Sequence, residues 1–243
     1  MNEMEIYLYT VCYNEEILLP HFLAHYGSLC TKMFFFDNCS TDGSARLIDS
    51  HPKASRTRFE TRNELRDRWH TSMKSSEYKK ARGAADWVII VDVDEFIYHP
   101  DLPQLLSQYK ANGVTFPKTQ GYDMVSQAPP ARHCNLLQEI RTGVSNNLFS
   151  KRAVFSPTLD VEYQPGCHLC TVQGDVKESE GVDIKLLHYR FLGKDYFLQR
   201  STRKRVRLSL DNMKHGWGVE NLQEDDHLAK LFDDANAQAQ III

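Results

Sequence analysis

The chain has 243 residues, 42% hydrophobic and 25% charged, ordinary proportions for a folded domain long enough to bury a core without metal or disulfide staples. Its 29 Lys and Arg against 32 Asp and Glu leave a net charge of -3, which excludes the basic footprint of a duplex binder, so no nucleic-acid partner is expected. The acidic start Met1–Glu5 lacks the charged and apolar regions of a signal peptide, no apolar run is long enough to span a bilayer, and the six cysteines read as reduced thiols. Together these predict a cytoplasmic protein.

Ile6 to Tyr13 is dense in β-branched and aromatic residues and reads as a buried strand. Glu15 to Tyr26 carries Leu18, Leu19, Phe22, Leu23 and Tyr26 at helical spacing, with the regular helix beginning near Leu19 and Pro20 in its first turn. Met33 to Phe36 reads as a second buried strand, Asp37 to Gly43 as a polar turn and Ser44 to Ser50 as a short helix. A third strand is expected over Thr57 to Glu60 and a helix over Leu65 to Ala85. Trp87 to Val91 is the clearest strand of the chain. A helix over Leu102 to Tyr109 and a strand over Val114 to Phe116 follow. This alternation predicts an α/β fold with a mostly parallel central sheet and helices on both faces.

After Pro129-Pro130 the pattern changes to short strand-like runs, Leu136 to Ile140, Asn147 to Phe155 and Asp183 to Tyr189, then a helix from Asp195 to about Leu210. Glu220 to Gln240 is acidic and weakly helical and reads as peripheral, a possible partner or membrane contact.

The strand at Trp87 ends in Asp92-Val93-Asp94-Glu95-Phe96. Burying unpaired carboxylates is costly, so these belong at the carboxyl edge of the sheet, where open α/β sheets bind ligands. Asp oxygens suit hard cations such as Mg2+ or Mn2+, with the other positions left to phosphate oxygens and water. The bland reading is a solvated acidic turn, which the five-residue apolar run before it disfavours. The first strand ends in Tyr13-Asn14-Glu15-Glu16 and the second in Asp37-Asn38-Cys39-Ser40-Thr41-Asp42-Gly43-Ser44, so three polar strand ends converge on one edge. Helix capping explains Asp42 equally well and Asp37 less well, since no helix starts at Asp37.

These three blocks, in this order and across roughly residues 5 to 100, resemble the signature blocks of GT-A-fold glycosyltransferases, the family-2-like branch whose metal motif ends in Asp-Glu-Phe. The resemblance implies a Rossmann-like half over residues 1–112 that binds a nucleotide sugar, a half over 113–215 that binds the acceptor and completes the metal site, and a peripheral segment over 216–243. It implies that Glu15 and Asp37 contact the nucleoside, Asp37 through the base, that Asn14 belongs to the donor site, that Asp92 approaches the ribose or the metal, and that Asp94 binds Mn2+ or Mg2+. Arg62, or Lys79, would contact the donor. Asn38-Cys39 stands where family members often carry Asp-Gly, which loosens the turn but leaves Asp37 its role.

His188, at the end of a strand-like run, resembles the family's late metal-completing histidine, and His168, in the loop Gly166-Cys167-His168, fits the family's earlier Gly-x-His position, so both are candidate metal ligands. Both compete with ordinary packing histidines. Zinc at Cys167-His168-Leu169-Cys170 is disfavoured, because no second pair of matching spacing exists. The run Arg200 to Arg207 is a solvated basic face or a contact for diphosphate or anionic lipid, with Arg203 and Arg207 on one face. The candidate catalytic carboxylates are Glu95 and Asp123, with Asp123 the first choice for the base and Glu139, Glu162 and Asp175 the alternatives.

The expected activity is therefore transfer of a sugar from a nucleoside diphosphate sugar, UDP-linked, to a glycan, lipid-linked or protein acceptor, by an enzyme that is soluble or peripheral at the inner membrane face. The rivals are a metal-dependent nucleotidyltransferase, disfavoured because Thr10 to Glu16 is not a Gly-rich phosphate loop, and a non-catalytic nucleotide-sugar-binding module.

Overall fold

The computed structural model describes residues 4–243. Met1 to Glu3, the first part of the acidic N-terminus, lie outside the described residues. The first part of the fold comprises β1 (Ile6–Cys12), α1 (Leu19–Leu29), β2 (Lys32–Asp37), α2 (Ser44–Asp49), β3 (Ala54–Arg58) and α3 (Asp67–Ser76), which runs on into a 3-10 turn, Glu77–Ala81. It continues with β4 (Trp87–Ile90), β5 (Glu95–Tyr98) and α4 (Leu102–Ala111). Next come β6 (Thr119–Ser126), α5 (Leu136–Glu139), β7 (Thr142–Ser145), a 3-10 turn at Asn147–Phe149, β8 (Val154–Phe155), β9 (Asp160–Tyr163) and β10 (Cys170–Gln173). The chain closes with β11 (Ile184–Leu192), α6 (Lys194–Arg205), α7 (Leu210–His215), α8 (Asp225–Gln238) and β12 (Gln240–Ile241).

The central sheet has the order β3-β2-β1-β4-β8. Its first four strands are parallel and only β8 runs against them. Parallel strands buried on both faces should show no polar side, and β1 and β4 show none. Ile6, Leu8, Trp87 and Ile89 face the core that holds Phe22 and Tyr26 of α1, while Tyr7, Tyr9, Val88 and Ile90 face a second core with Tyr78 and Phe155. Each such side chain contributes roughly 1.5–3 kcal/mol. β3, mostly half-buried or exposed, is an edge that contributes little. Pro20 lies in the first turn of α1, where its missing N–H costs nothing.

The second sheet, β12-β7-β6-β11-β5, is mixed. β6 and β11 run parallel, and β5 pairs antiparallel with β11, bringing His188 beside Glu95 on one side and Asp123 on the other. The acidic turn after β4 thus leads straight into a strand of the other sheet.

Three expectations are corrected. Leu136–Glu139 is a single helical turn, not a strand; a four-residue apolar run has no periodicity to decide between them. Val114–Phe116 forms no strand beyond one bridge from Phe116 to Glu178. The Asn147–Phe155 run divides into a 3-10 turn and the two-residue β8.

Candidate active site

Because β1, β2 and β4 are parallel neighbours, their following loops meet at one edge. Asn14 and Cys39 take left-handed backbone angles there (φ 52° and 59°). The Asn14 side chain accepts from the Thr41 N–H at 2.7 Å, the Ser40 hydroxyl accepts from the Asn14 N–H at 3.0 Å, and that of Ser44 accepts from Glu15 N–H at 2.8 Å. These bonds stitch the first two loops together. Asp37 is buried, with one oxygen accepting from the Ser40 N–H and the other paired to Arg56 at 3.2 Å. Asp42 accepts from the N–H groups of Ser44 and Glu16, the capping role open to it.

The third loop carries the acidic motif. Two buried lysines hold Asp92: Lys74 Nζ lies 2.6 Å from one oxygen and Lys151 Nζ 3.3 Å from the other, yet 41% of the Asp92 side chain remains exposed. Burial opposes its charge, but Lys151 and Lys74 outweigh that and keep the carboxyl well below the usual range. Glu95 is buried beneath it, 2.5 Å from Lys151, and accepts from the Asp92 N–H at 2.7 Å. Two lysines and two carboxylates thus form a balanced cluster under the strand end.

Asp94 is also buried. Its Oδ2 faces His188 Nε2 at 3.3 Å and accepts from Arg200 Nη1 at 2.8 Å. Arg200 extends its other nitrogen to Glu15 Oε1 at 2.6 Å, while Glu15 Oε2 is buried without a partner among the described residues. Behind His188, Nδ1 lies 2.8 Å from Asp123 Oδ1; a carboxylate only accepts, so Nδ1 carries the proton. Asp123 Oδ2 accepts from Asn146 Nδ2 at 2.7 Å, so both its oxygens are engaged. Burial works against a charged His188, but Asp94 and Asp123 raise its imidazole to about 9.

Two cis ligands on one cation, each about 2.1 Å from it, stand roughly 3 Å apart. The 3.3 Å between Asp94 Oδ2 and His188 Nε2 fits that spacing. The carboxylate behind His188 is the support a ligating imidazole ordinarily has. Among the described residues no three His, Cys, Asp or Glu side chains converge as a complete metal cage. The fit is therefore to a hard cation that takes two protein ligands and completes its shell with phosphate oxygens and water.

The sequence model described as glycosyl transferase family 2 matches residues 8–168, 161 of the 243 residues. The chain belongs to that family. No curated protein sequence matches it. Similar solved structures include S. aureus TarS, at 12% identity and a TM-score of 0.49, covering 93% of this chain and 41% of that one. TarS 1-349 in complex with UDP-GlcNAc matches at 11% and 0.46, covering 93% and 69%. Glucosyl-3-phosphoglycerate synthase from Mycobacterium tuberculosis in complex with Mn2+, UDP and glucosyl-3-phosphoglycerate matches at 15% and 0.34, covering 49% and 44%. This family-2 chain thus spans less than half the length of TarS.

Of the residues singled out in the sequence, Glu15, Asp94, Asp123 and His188 are linked through Arg200 into one cluster, and Asp92 and Glu95 into a second around Lys74 and Lys151. Arg62 sits on an exposed turn with φ 57° and makes no ion pair among the described residues. Lys79 pairs with Asp160 instead, at 2.8 Å. His168 is exposed and packs edge-on against Phe149, whose ring lies 4.5 Å from that of His188. It stands one ring away from the His188 cluster.

Lys74, Lys151, Asn146 and Phe149 had no sequence signal, and Arg200 had a partial one in its basic run. That run is not a simple solvated face: Arg200 and Arg207 are buried, and Arg207 lies 3.2 Å over the Tyr13 ring and donates to Asn38 Oδ1 at 2.6 Å. Among the described residues no helix is long and apolar enough to cross a membrane.

Proposed function

We propose that this family-2 chain transfers a sugar from a nucleoside diphosphate sugar, with Asp94 and His188 as the protein ligands of a divalent cation. The observation that carries the reading is the Asp94–His188–Asp123 line, set at the edge where three parallel strands end. Mn2+ or Mg2+ bound there would offset the charge that develops on the departing diphosphate.

The chain's own residues take the remaining tasks. Glu15, whose Oε1 accepts from Arg200 and whose N–H is held by Ser44, stands at the nucleoside loops and takes the nucleoside side of the donor. Asn14 and Asp37 shape the nucleoside loops by holding their backbone. Asp92, the exposed member of the acidic motif, lies over Lys74 and Lys151, which keep it charged and fixed toward the ribose. Glu95 braces the same lysine. Asp123 holds His188 in one tautomer, a positioning role, since taking a proton from an acceptor requires it to leave two partners. Residues 113–215 supply the acceptor side, and a glycan, a lipid-linked sugar or a protein is the acceptor class, met in the cytoplasm or at the inner membrane face. The donor is UDP-linked, as metal-dependent enzymes of this kind commonly use.

Thermal melting with UDP, GDP, ADP and their sugar conjugates, with and without Mn2+, tests the reading. A ligand at 100 times its Kd stabilises by about 2.7 kcal/mol, or roughly 5–10 °C for a chain of this size. We expect that shift for UDP compounds, only with Mn2+, and its loss in Asp94→Asn. Slow Mn2+-dependent hydrolysis of the sugar nucleotide marks an enzyme, and binding without hydrolysis marks a binding module. A folded chain that no compound stabilises sinks the proposal.

A further inference from the structure

Helix α6 presents Arg200, Arg203 and Arg207 at spacings of three and four residues, so one face of α6 and the turn beyond it point at the strand ends. Each arginine holds a different loop. Arg200 bridges Asp94 and Glu15, Arg203 donates to the Asn14 carbonyl at 3.0 Å, and Arg207 donates to Asn38. Arg200 is the one that meets the proposed cation site. Its Nη1 donates to Asp94 Oδ2, the same oxygen that faces His188 Nε2. A guanidinium 2.8 Å from that oxygen and a divalent cation about 2.1 Å from it would stand a few ångströms apart, in a site where Asp94 and Arg200 are both buried. Two positive charges that close and that poorly solvated repel strongly. An anion lying between them turns the arrangement from repulsive to attractive.

We propose that Arg200 is a latch on Asp94: it keeps a divalent cation from binding alone and releases Asp94 when a diphosphate takes its guanidinium. The latch rests on the proposed donor reading for the identity of the anion, but not for the competition at Asp94. Arg200 is suited to the exchange because its planar fork already grips two carboxylates and matches phosphate oxygens equally well. Glu15, the other carboxylate it grips at 2.6 Å, remains to hold the second nitrogen when the first leaves Asp94. Cation and diphosphate then bind cooperatively, each raising the affinity for the other by the same factor. Arg200 acts on the cation through Asp94 and is a positioning residue in that respect. Toward the diphosphate it is a direct ligand.

The test is Mn2+ binding to the whole chain, read by electron paramagnetic resonance of free Mn2+, first with the metal alone and then with UDP. Removing the latch should strengthen one binding event and weaken the other. In Arg200→Gln the affinity for Mn2+ alone is expected to rise about tenfold, while UDP binding in saturating Mn2+ falls by about the same factor. Arg205→Gln removes the same charge from the same helix but only its contacts with Asn221, Gln223 and Asp225, and should leave both affinities unchanged. If Arg200→Gln does not fold, Arg200→Lys keeps a charge but loses the fork, and should raise Mn2+ affinity by a smaller factor. Mn2+ affinity that is unchanged or reduced in the folded Arg200 variants overturns the latch. If UDP, GDP and ADP all fail to bind the wild type, yet Mn2+ binds more tightly to Arg200→Gln and not at all to Asp94→Asn, the donor reading falls and the latch stands.

Discussion

His25 of α1 has its Nε2 3.0 Å from the Ile97 carbonyl and its ring against Tyr26 and Phe96. Burial pushes its imidazole down to about 4, with the backbone hydrogen bond opposing only in part. Burial likewise takes His70 down to about 4, and its Nε2 has no partner among the described residues. An unfolded histidine titrates near pH 6.5, so protons favour the unfolded chain. The stability these two residues contribute is complete above pH 6.5 and declines as pH falls toward 4, by at most about 1.4 kcal/mol per pH unit for each. Asp92 and Asp94, held below the usual carboxylate range, keep their charge across that window. His188 works in the opposite sense at higher pH: its share is present below 6.5 and is lost as pH rises through about 9. Urea unfolding at pH 7 and pH 5 should show a clear loss at the lower pH, and His25→Gln should remove only part of it, since desolvation lowers His21, His51 and His168 as well. An undiminished loss in His25→Gln means that His25 is not titrating. None of this was legible in the sequence, where one histidine looks like another. The same limit hid Lys74 and Lys151, whose partner Asp92 lies 18 and 59 residues away. The carboxylates were legible because an apolar run that stops at three acids has few physical explanations.

Between residues and fold, the element that seats the His188 line is β6 together with the turn Asn147–Phe149. A Cβ added to Gly121 would lie 2.4 Å from the Phe149 carbonyl carbon, 2.6 Å from its oxygen and 2.7 Å from the Asn146 oxygen. All three are backbone atoms, so Gly121→Ala must push the whole turn away from the sheet. That turn carries Phe149, packed on His188, and follows Asn146, bonded to Asp123. Overpacking of this kind costs about 1–3 kcal/mol. We expect Gly121→Ala to lose that much stability in urea melts and to weaken Mn2+-dependent nucleotide binding as well. Full binding alongside the stability loss would separate the turn from the site. Periodicity found the elements of the parallel sheet, because strands buried on both faces alternate with long amphipathic helices. It failed at β5, absorbed into the acidic motif, and at the two-residue β8 and the single turn α5, which are too short to carry a period.

Across the molecule, residues 216–243 read from sequence as a peripheral segment, an acidic and weakly periodic stretch. In the structure Leu228 and Phe232 of α8 are 3% exposed and pack with Val125, Phe191 and Phe197, while β12 extends the second sheet alongside β7. The two ends of this contact matter for the site. Val125 and Phe191 lie on β6 and β11, the strands that carry Asp123 and His188, and Phe197 lies on α6 one turn before Arg200. α8 therefore packs against the helix that carries Arg200, through Phe197 one turn before it. Truncating a buried Phe to Ala costs about 3–5 kcal/mol, and for a chain of this size each kcal/mol lowers the Tm by roughly 2–4 °C. Phe232→Ala is expected to lower the Tm by about 10 °C, where a segment merely resting on the surface would change it by less than a degree. The same substitution loosens α6 where Phe197 packs on α8, so Arg200 should hold Asp94 less firmly and Mn2+ alone should bind more tightly than to the wild type, though less tightly than to Arg200→Gln. A lowered Tm with unchanged Mn2+ affinity would mean that α8 supports the sheet and leaves the position of α6 to its three arginines.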